Sequence, residues 1–109
     1  MKVKSLQAPQ LNYWVAKSLG LNPVADQRGE HTISVANSTT GELESYQPTI
    51  DWSQAGPILA AEWYELETMM IEWLGPHWPH VSDFIEDPLV WFMRAFVTTR
   101  FGDEVEELT

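Results

Sequence analysis

Cysteine is absent from the 109-residue chain, which excludes disulfides and thiolate metal sites and leaves no mark of a redox compartment. Lysine and arginine are missing from the whole interval between Gly29 and Met93. The same interval holds Glu30, Glu42, Glu44, Asp51, Glu62, Glu65, Glu67, Glu72, Asp83, Glu86 and Asp87. Binding a phosphate backbone needs a cationic face, because counterion release drives it, so direct nucleic-acid binding is not expected. Long apolar runs are missing too. Nothing approaches the roughly 18 apolar residues of a membrane span, and Met1 to Gln7 lacks the apolar segment of a signal peptide. The expectation is a soluble protein of the cytoplasm. There is also no Gly-rich phosphate loop, no cysteine nucleophile and no serine in a nucleophile elbow. Carboxylates are plentiful, but acid–base work needs one of a pair desolvated, and nothing marks one. The chain is therefore expected to be no enzyme and to carry no cofactor.

What is present is acid and tryptophan. The formal charge is −10, and the cations Lys2, Lys4, Lys17, Arg28, Arg94 and Arg100 all lie outside the acidic interval. Such a balance suits a basic protein as partner, or simply a well-solvated surface. Six tryptophans, Trp14, Trp52, Trp63, Trp73, Trp78 and Trp91, are too many to lie side by side in one small core. Each needs a place for its indole N–H, and tryptophan is enriched at binding hot spots, so a contact surface or a homodimer is an open expectation.

The stretch from Asp87 to Gly102 organises the rest. Asp87 suits the N-cap, Pro88 a first helical turn, Arg100 the last turn, and Gly102 can stop the helix. Leu89, Phe92, Met93, Phe96 and Val97 recur at helical spacing on one apolar face, which Trp91 and Phe101 would widen. An earlier helix from Pro9 to Gly20 carries Leu11, Trp14, Val15 and Leu19. Met1 to Ser5 alternates and reads as an edge strand, and Leu21 to Glu30 reads as loop. His31 to Asn37 and Glu42 to Tyr46 alternate about a turn at Asn37–Gly41, which predicts an antiparallel hairpin. Gln47 to Ala55 reads as loop, and a second helix is expected to open near Gly56-Pro57. Leu59, Trp63, Leu66, Met70 and Trp73 support a helix to about Leu74, but Glu65 to Met69 also alternates, so a break near Tyr64 into a strand stays open. Gly75 to Val81 reads as loop, and residues 103–109 as a frayed acidic tail. The expected fold is α+β, a single domain over 1–109 in which a small antiparallel β-sheet packs against two or three helices, with the C-terminal helix (about 87–101) central.

Three groups of residues in this order and spacing carry a family likeness. They are Leu11, Trp14, Val15 and Ala16; then Tyr46, Pro48, Asp51-Trp52 and Gly56-Pro57-Ile58; then Pro88-Leu89, Met93 to Val97 and Phe101 to Val105. Together they resemble the NinX-like family of small phage and prophage proteins. Its hallmarks are a Leu-x-x-x-Val-Ala helix, a Tyr-x-Pro-Ser-Thr-Asp-Trp loop ending in Gly-Gly-Pro-Ile, and a Thr-Pro-Leu-x-x-Ala-Met-Arg helix ending in Phe-Gly-Asp-Glu-Val. Thr49-Ile50 stands for the Ser-Thr pair, Ala55 for a glycine and Asp87 for the threonine, while Glu62 to Phe84 does not follow the pattern. The resemblance implies a phage or prophage source and an accessory role in the bacterial host, with no established chemistry.

Three candidate sites follow from the residues. Asp51, Trp52 and Arg94 would form a small pocket, or Asp51 would cap the second helix while Arg94 anchors it. His77 and His80, near Glu72 and Asp83, would be metal ligands only if further ligands joined them, and Pro79 excludes a regular helix that would align them, so no metal is expected. His31 is alone. Glu62, Glu65 and Glu72 with Trp78 form a candidate partner-binding face, beside Glu42 and Glu44 of the hairpin. Such a face would meet a host or phage protein, and in its sharpest form would imitate nucleic acid toward a basic host defence protein.

Overall fold

The computed structural model describes residues 1–25, 33–37 and 39–106. His31 and the last three residues of the expected tail lie outside this set. Helix α1 spans Gln10–Ser18 and buries Leu11, Asn12, Val15 and Ala16. It ends as the sequence dictates: Gly20 takes φ +75°, and the N–H groups of Gly20 and Leu21 bond the Lys17 and Ala16 carbonyls at 3.0 Å each. Leu19 falls beyond the last turn and is exposed, so the apolar stripe closes with Val15 and the buried Ala16 instead.

Strands β1 (Val24–Ala25), β2 (Ile33–Ala36) and β3 (Leu43–Ser45) form an antiparallel sheet in the order β1-β2-β3. Ser34 faces Ser45 and Ala36 faces Leu43, which is the expected hairpin. Its turn is held by Asn37, whose Oδ1 accepts the N–H groups of Thr39 at 2.7 Å and Thr40 at 3.1 Å. At Val24 and Ala25, β1 corrects the loop expected over Leu21 to Glu30, of which residues 26–30 lie outside the described set; a two-residue strand is too short to show a period and exists by pairing with β2. The sheet joins the helices through Ile33, which is fully buried.

Helix α2 spans Trp52–Leu74, opening one turn earlier than Pro57 suggested. Asp51 sets the start. Pro57 lies inside the helix rather than at its head, forgoing one backbone bond. The helix bends at Glu62 (φ −118°, ψ 16°) and then resumes, so the strand considered beyond Tyr64 does not form. Leu66 and Met70, one turn apart, are both fully buried, which settles the period in favour of helix. A 3₁₀ turn at Trp78–His80 and the short α3 (Ser82–Glu86) lead to α4 (Pro88–Phe101).

α4 packs against both α1 and α2 and is the centre of the core. It buries Leu89, Phe92, Met93, Ala95, Phe96 and Val97, while Phe101 stays 44% exposed and meets Trp14 of α1 edge-on at 5.3 Å. Asp87 precedes the helix without a side-chain capping bond, and Gly102 ends it at φ +83°. At the N-terminus the expected strand is reduced to a bridge between Lys2 and Glu104, followed by a 3₁₀ turn at Val3–Ser5. The acidic tail is not frayed as far as Val105. Val3 N–H bonds Asp103 O, and Val105 N–H bonds Met1 O, both at 2.9 Å. Val105 supplies the reason, a single apolar side chain among acids that is 8% exposed and docks on the core.

Candidate functional site

Asp51 and Arg94, the expected pocket pair, do different things in different places. Asp51 Oδ1 accepts the Ser53 backbone N–H at 2.9 Å and the Ser53 hydroxyl at 2.6 Å, capping α2. Those two bonds hold its carboxyl below the usual carboxylate range. Trp52 projects into solvent, 58% exposed. Arg94 instead donates from Nε to the Leu6 carbonyl at 2.7 Å and lies over Trp91, 5.0 Å from the ring centroid. No ion pair joins it to Asp51 among the described residues.

The carboxylates of α2 also divide. Glu62, at the bend, pairs with Arg100 of α4 and is withdrawn from any outside partner. Glu65 and Glu72 are exposed. Seven residues apart, they lie two turns apart on one line along the helix. A second such line, absent from the residues expected above, is formed by Tyr64 (82% exposed) and Ile71 (46% exposed). Successive residues advance about 100° around a helix, so the Glu65–Glu72 line runs on one side of Tyr64–Ile71 and Glu67 on the other. The outer face of α2 thus carries a short apolar stripe of two side chains, with the exposed Thr68 between them, Glu65 and Glu72 on one border, the half-buried Glu67 on the other and no cation on the element. Its signal was present as the i, i+7 spacing of Tyr64 and Ile71, masked by the stronger buried stripe of Leu66, Met70 and Trp73.

Trp78, expected in this face, is spent on internal packing. Its ring meets Phe84 at 5.0 Å and Phe92 at 5.9 Å edge-on, and Trp63 at 6.3 Å. Glu42 and Glu44 are exposed on the hairpin, Glu44 accepting a bond from Asn37 Nδ2 at 2.9 Å. The hairpin meets α2 near its start, where Gln54 Nε2 donates to the Ser45 carbonyl at 2.9 Å. Glu65 lies about 16 Å further along the helix axis, so the hairpin acids do not extend the α2 row. His77 precedes the 3₁₀ turn and His80 is its last residue, and both are exposed. Among the described residues no three His, Cys, Asp or Glu side chains assemble to hold a metal. No described helix is long and apolar enough to cross a membrane.

Among the described residues, the buried polar atoms Trp14 Nε1 and Thr49 Oγ1 lack hydrogen-bond partners. Residues 2–100 match the family model described as Bacteriophage P22, NinX. No curated protein matches the chain.

Proposed function

The chain belongs to the bacteriophage P22 NinX family, and from that premise we propose a phage accessory protein that acts in the host cytoplasm by binding another protein, without chemistry of its own. The partner is basic, and the contact surface is the outer face of α2. One observation carries this reading. Tyr64 and Ile71 stand in solvent between Glu65, Glu72 and Glu67, an arrangement that costs exposed apolar area unless something covers it. A partner with an apolar centre and lysine or arginine at the rim would cover the stripe and meet the acids. Self-association through the same face is opposed, because it would set carboxylate against carboxylate.

Imitation of a phosphate backbone is a narrower form of the same idea and has less support. It would need a continuous row of free carboxylates, whereas Glu62 is engaged by Arg100 and the hairpin acids lie near the other end of α2.

Tagged protein captured from its bacterial host would identify the partner, and the purified pair would then be titrated against salt. The expected result is a basic partner whose affinity falls steeply with salt, since exposed charges are screened within about 10 Å at 0.1 M. Tyr64→Ala and Glu65→Lys/Glu72→Lys should each weaken it. Equal affinity at low and high salt, or indifference to all these variants, would end this reading.

A further inference from the structure

On the side of the molecule where the chain first reaches α1, a cleft of about 250 Å³ opens, with Gln7, Thr49, Asp87, Val90, Trp91 and Arg94 on its walls. Its charged groups are unpaired in an unusual way. Arg94 is half-buried, and only Nε is used, on the Leu6 carbonyl; Nη1 and Nη2 make no hydrogen bond or ion pair among the described residues. Asp87 sits at the cap position of α4, yet its carboxylate makes no capping bond. The two charges lie seven residues apart on one side of α4 and do not form a salt bridge with each other. Burial pulls the Arg94 pKa down and the Asp87 charge pushes it up, which places them in each other's field.

We propose that this cleft binds a small zwitterion of the α-amino acid class, its carboxylate on the free nitrogens of Arg94 and its ammonium on Asp87. A simple anion is opposed by Asp87 and by a net charge of −10, and a simple cation by Arg94. A molecule carrying both charges satisfies both walls and pays no net electrostatic penalty. The planar guanidinium suits a carboxylate in two-point contact, and Trp91 fixes it from one face. Val90 and the indole of Trp91 give the hydrocarbon part an apolar wall. The volume lies just under the roughly 300–1,000 Å³ of pockets for drug-sized ligands, which fits a single small molecule and not a dinucleotide.

The test is isothermal titration of the full chain with a panel of small L-amino acids, with acetate and methylammonium as single-charge probes. At least one amino acid should bind saturably, with each single-charge probe about tenfold weaker or worse. Gln7→Trp, at an exposed position on the cleft wall, should obstruct the cleft and abolish binding while melting at the wild-type temperature. Asp87→Asn should weaken the amino acid about tenfold and leave acetate unweakened. The proposal is overturned if no amino acid binds at about 10 mM, a weaker-than-millimolar affinity. It is also overturned if acetate binds as well as any amino acid, or if a folded Gln7→Trp binds undiminished.

Discussion

The Glu62 carboxylate accepts Nη2 of Arg100, so the bend of α2 is tied to the last turn of α4. The pair joins the two longest helices across the surface of the core, at the one residue of α2 that leaves helical geometry. Arg100 also lies over the Phe96 ring, 4.8 Å from its centroid, which limits the freedom it loses in pairing.

Both partners keep some exposure, so the pair contributes as a partly screened bridge. Glu62→Gln and Arg100→Gln are each expected to cost about 0.5–1 kcal/mol. The double variant should cost less than the sum of the singles, and the coupling should shrink as salt rises. Urea unfolding of the four proteins at two ionic strengths measures this; additive losses would show that the pair contributes nothing beyond its parts.

Phe96 is the test of the core. It is 1% exposed at the middle of α4, where helices on two sides close over it. Phe96→Ala should cost about 3–5 kcal/mol through lost burial and the cavity left behind. Phe96→Asp would bury an unpaired carboxylate and should leave no cooperative thermal transition. Cooperative melting of Phe96→Asp at the wild-type temperature would contradict the assignment of α4 as the centre.

These two sites differ in how far the sequence disclosed them. The burial of Phe96 follows from apolar recurrence along one helix, a local pattern that survives folding. Capping by Asp51 was legible for the same reason, as a carboxylate just ahead of a helix. The engagement of Glu62 by Arg100 was not, because it joins residues 38 apart in sequence whose meeting depends on how α2 and α4 pack. The same holds for Arg94, which reaches Leu6 rather than Asp51 across 88 residues. Strand β1 was hidden by brevity, and the docked tail by a composition in which one buried valine outweighs its acidic neighbours.

Trp78 and Tyr64 separate internal packing from surface. Trp78 is held edge-on by Phe84 and Phe92, so Trp78→Ala should destabilise by about 2–4 kcal/mol, somewhat below a fully buried aromatic. Tyr64 is among the most exposed large side chains, and Tyr64→Ala should change stability by no more than about 0.5 kcal/mol. Chemical denaturation of the two variants decides it. A Tyr64→Ala variant as unstable as Trp78→Ala would mean the outer face of α2 is structural.

Tyr46 is 7% exposed, and burial raises its phenol to about 12. The unfolded phenol ionises near 10, so the folded state holds its proton longer than the unfolded state does. Stability linked to Tyr46 is therefore complete below pH 10 and is lost as pH rises toward about 12. Tyr46→Phe should flatten that alkaline decline and remove the highest-pH step from the ultraviolet titration of phenolate. An unchanged alkaline decline would place the loss elsewhere.

Asp51 works at the other end of the scale and with the opposite sign. Its folded pKa is lowered by bonds from Ser53, so the cap is in place above the unfolded value near 3.8 and is lost as pH falls through the lower folded value. Asp51→Asn keeps an oxygen that can accept the Ser53 N–H but cannot titrate. Its stability relative to wild type should therefore improve steadily as the pH is taken below 3.8. Asp51→Ala, lacking the acceptor, should melt lower than both at neutral pH and converge on wild type in acid. Thermal melts of the three proteins from neutral pH down to the acid limit of folding follow both trends. A constant gap between wild type and Asp51→Asn at every pH would mean that the carboxylate charge adds nothing to the cap.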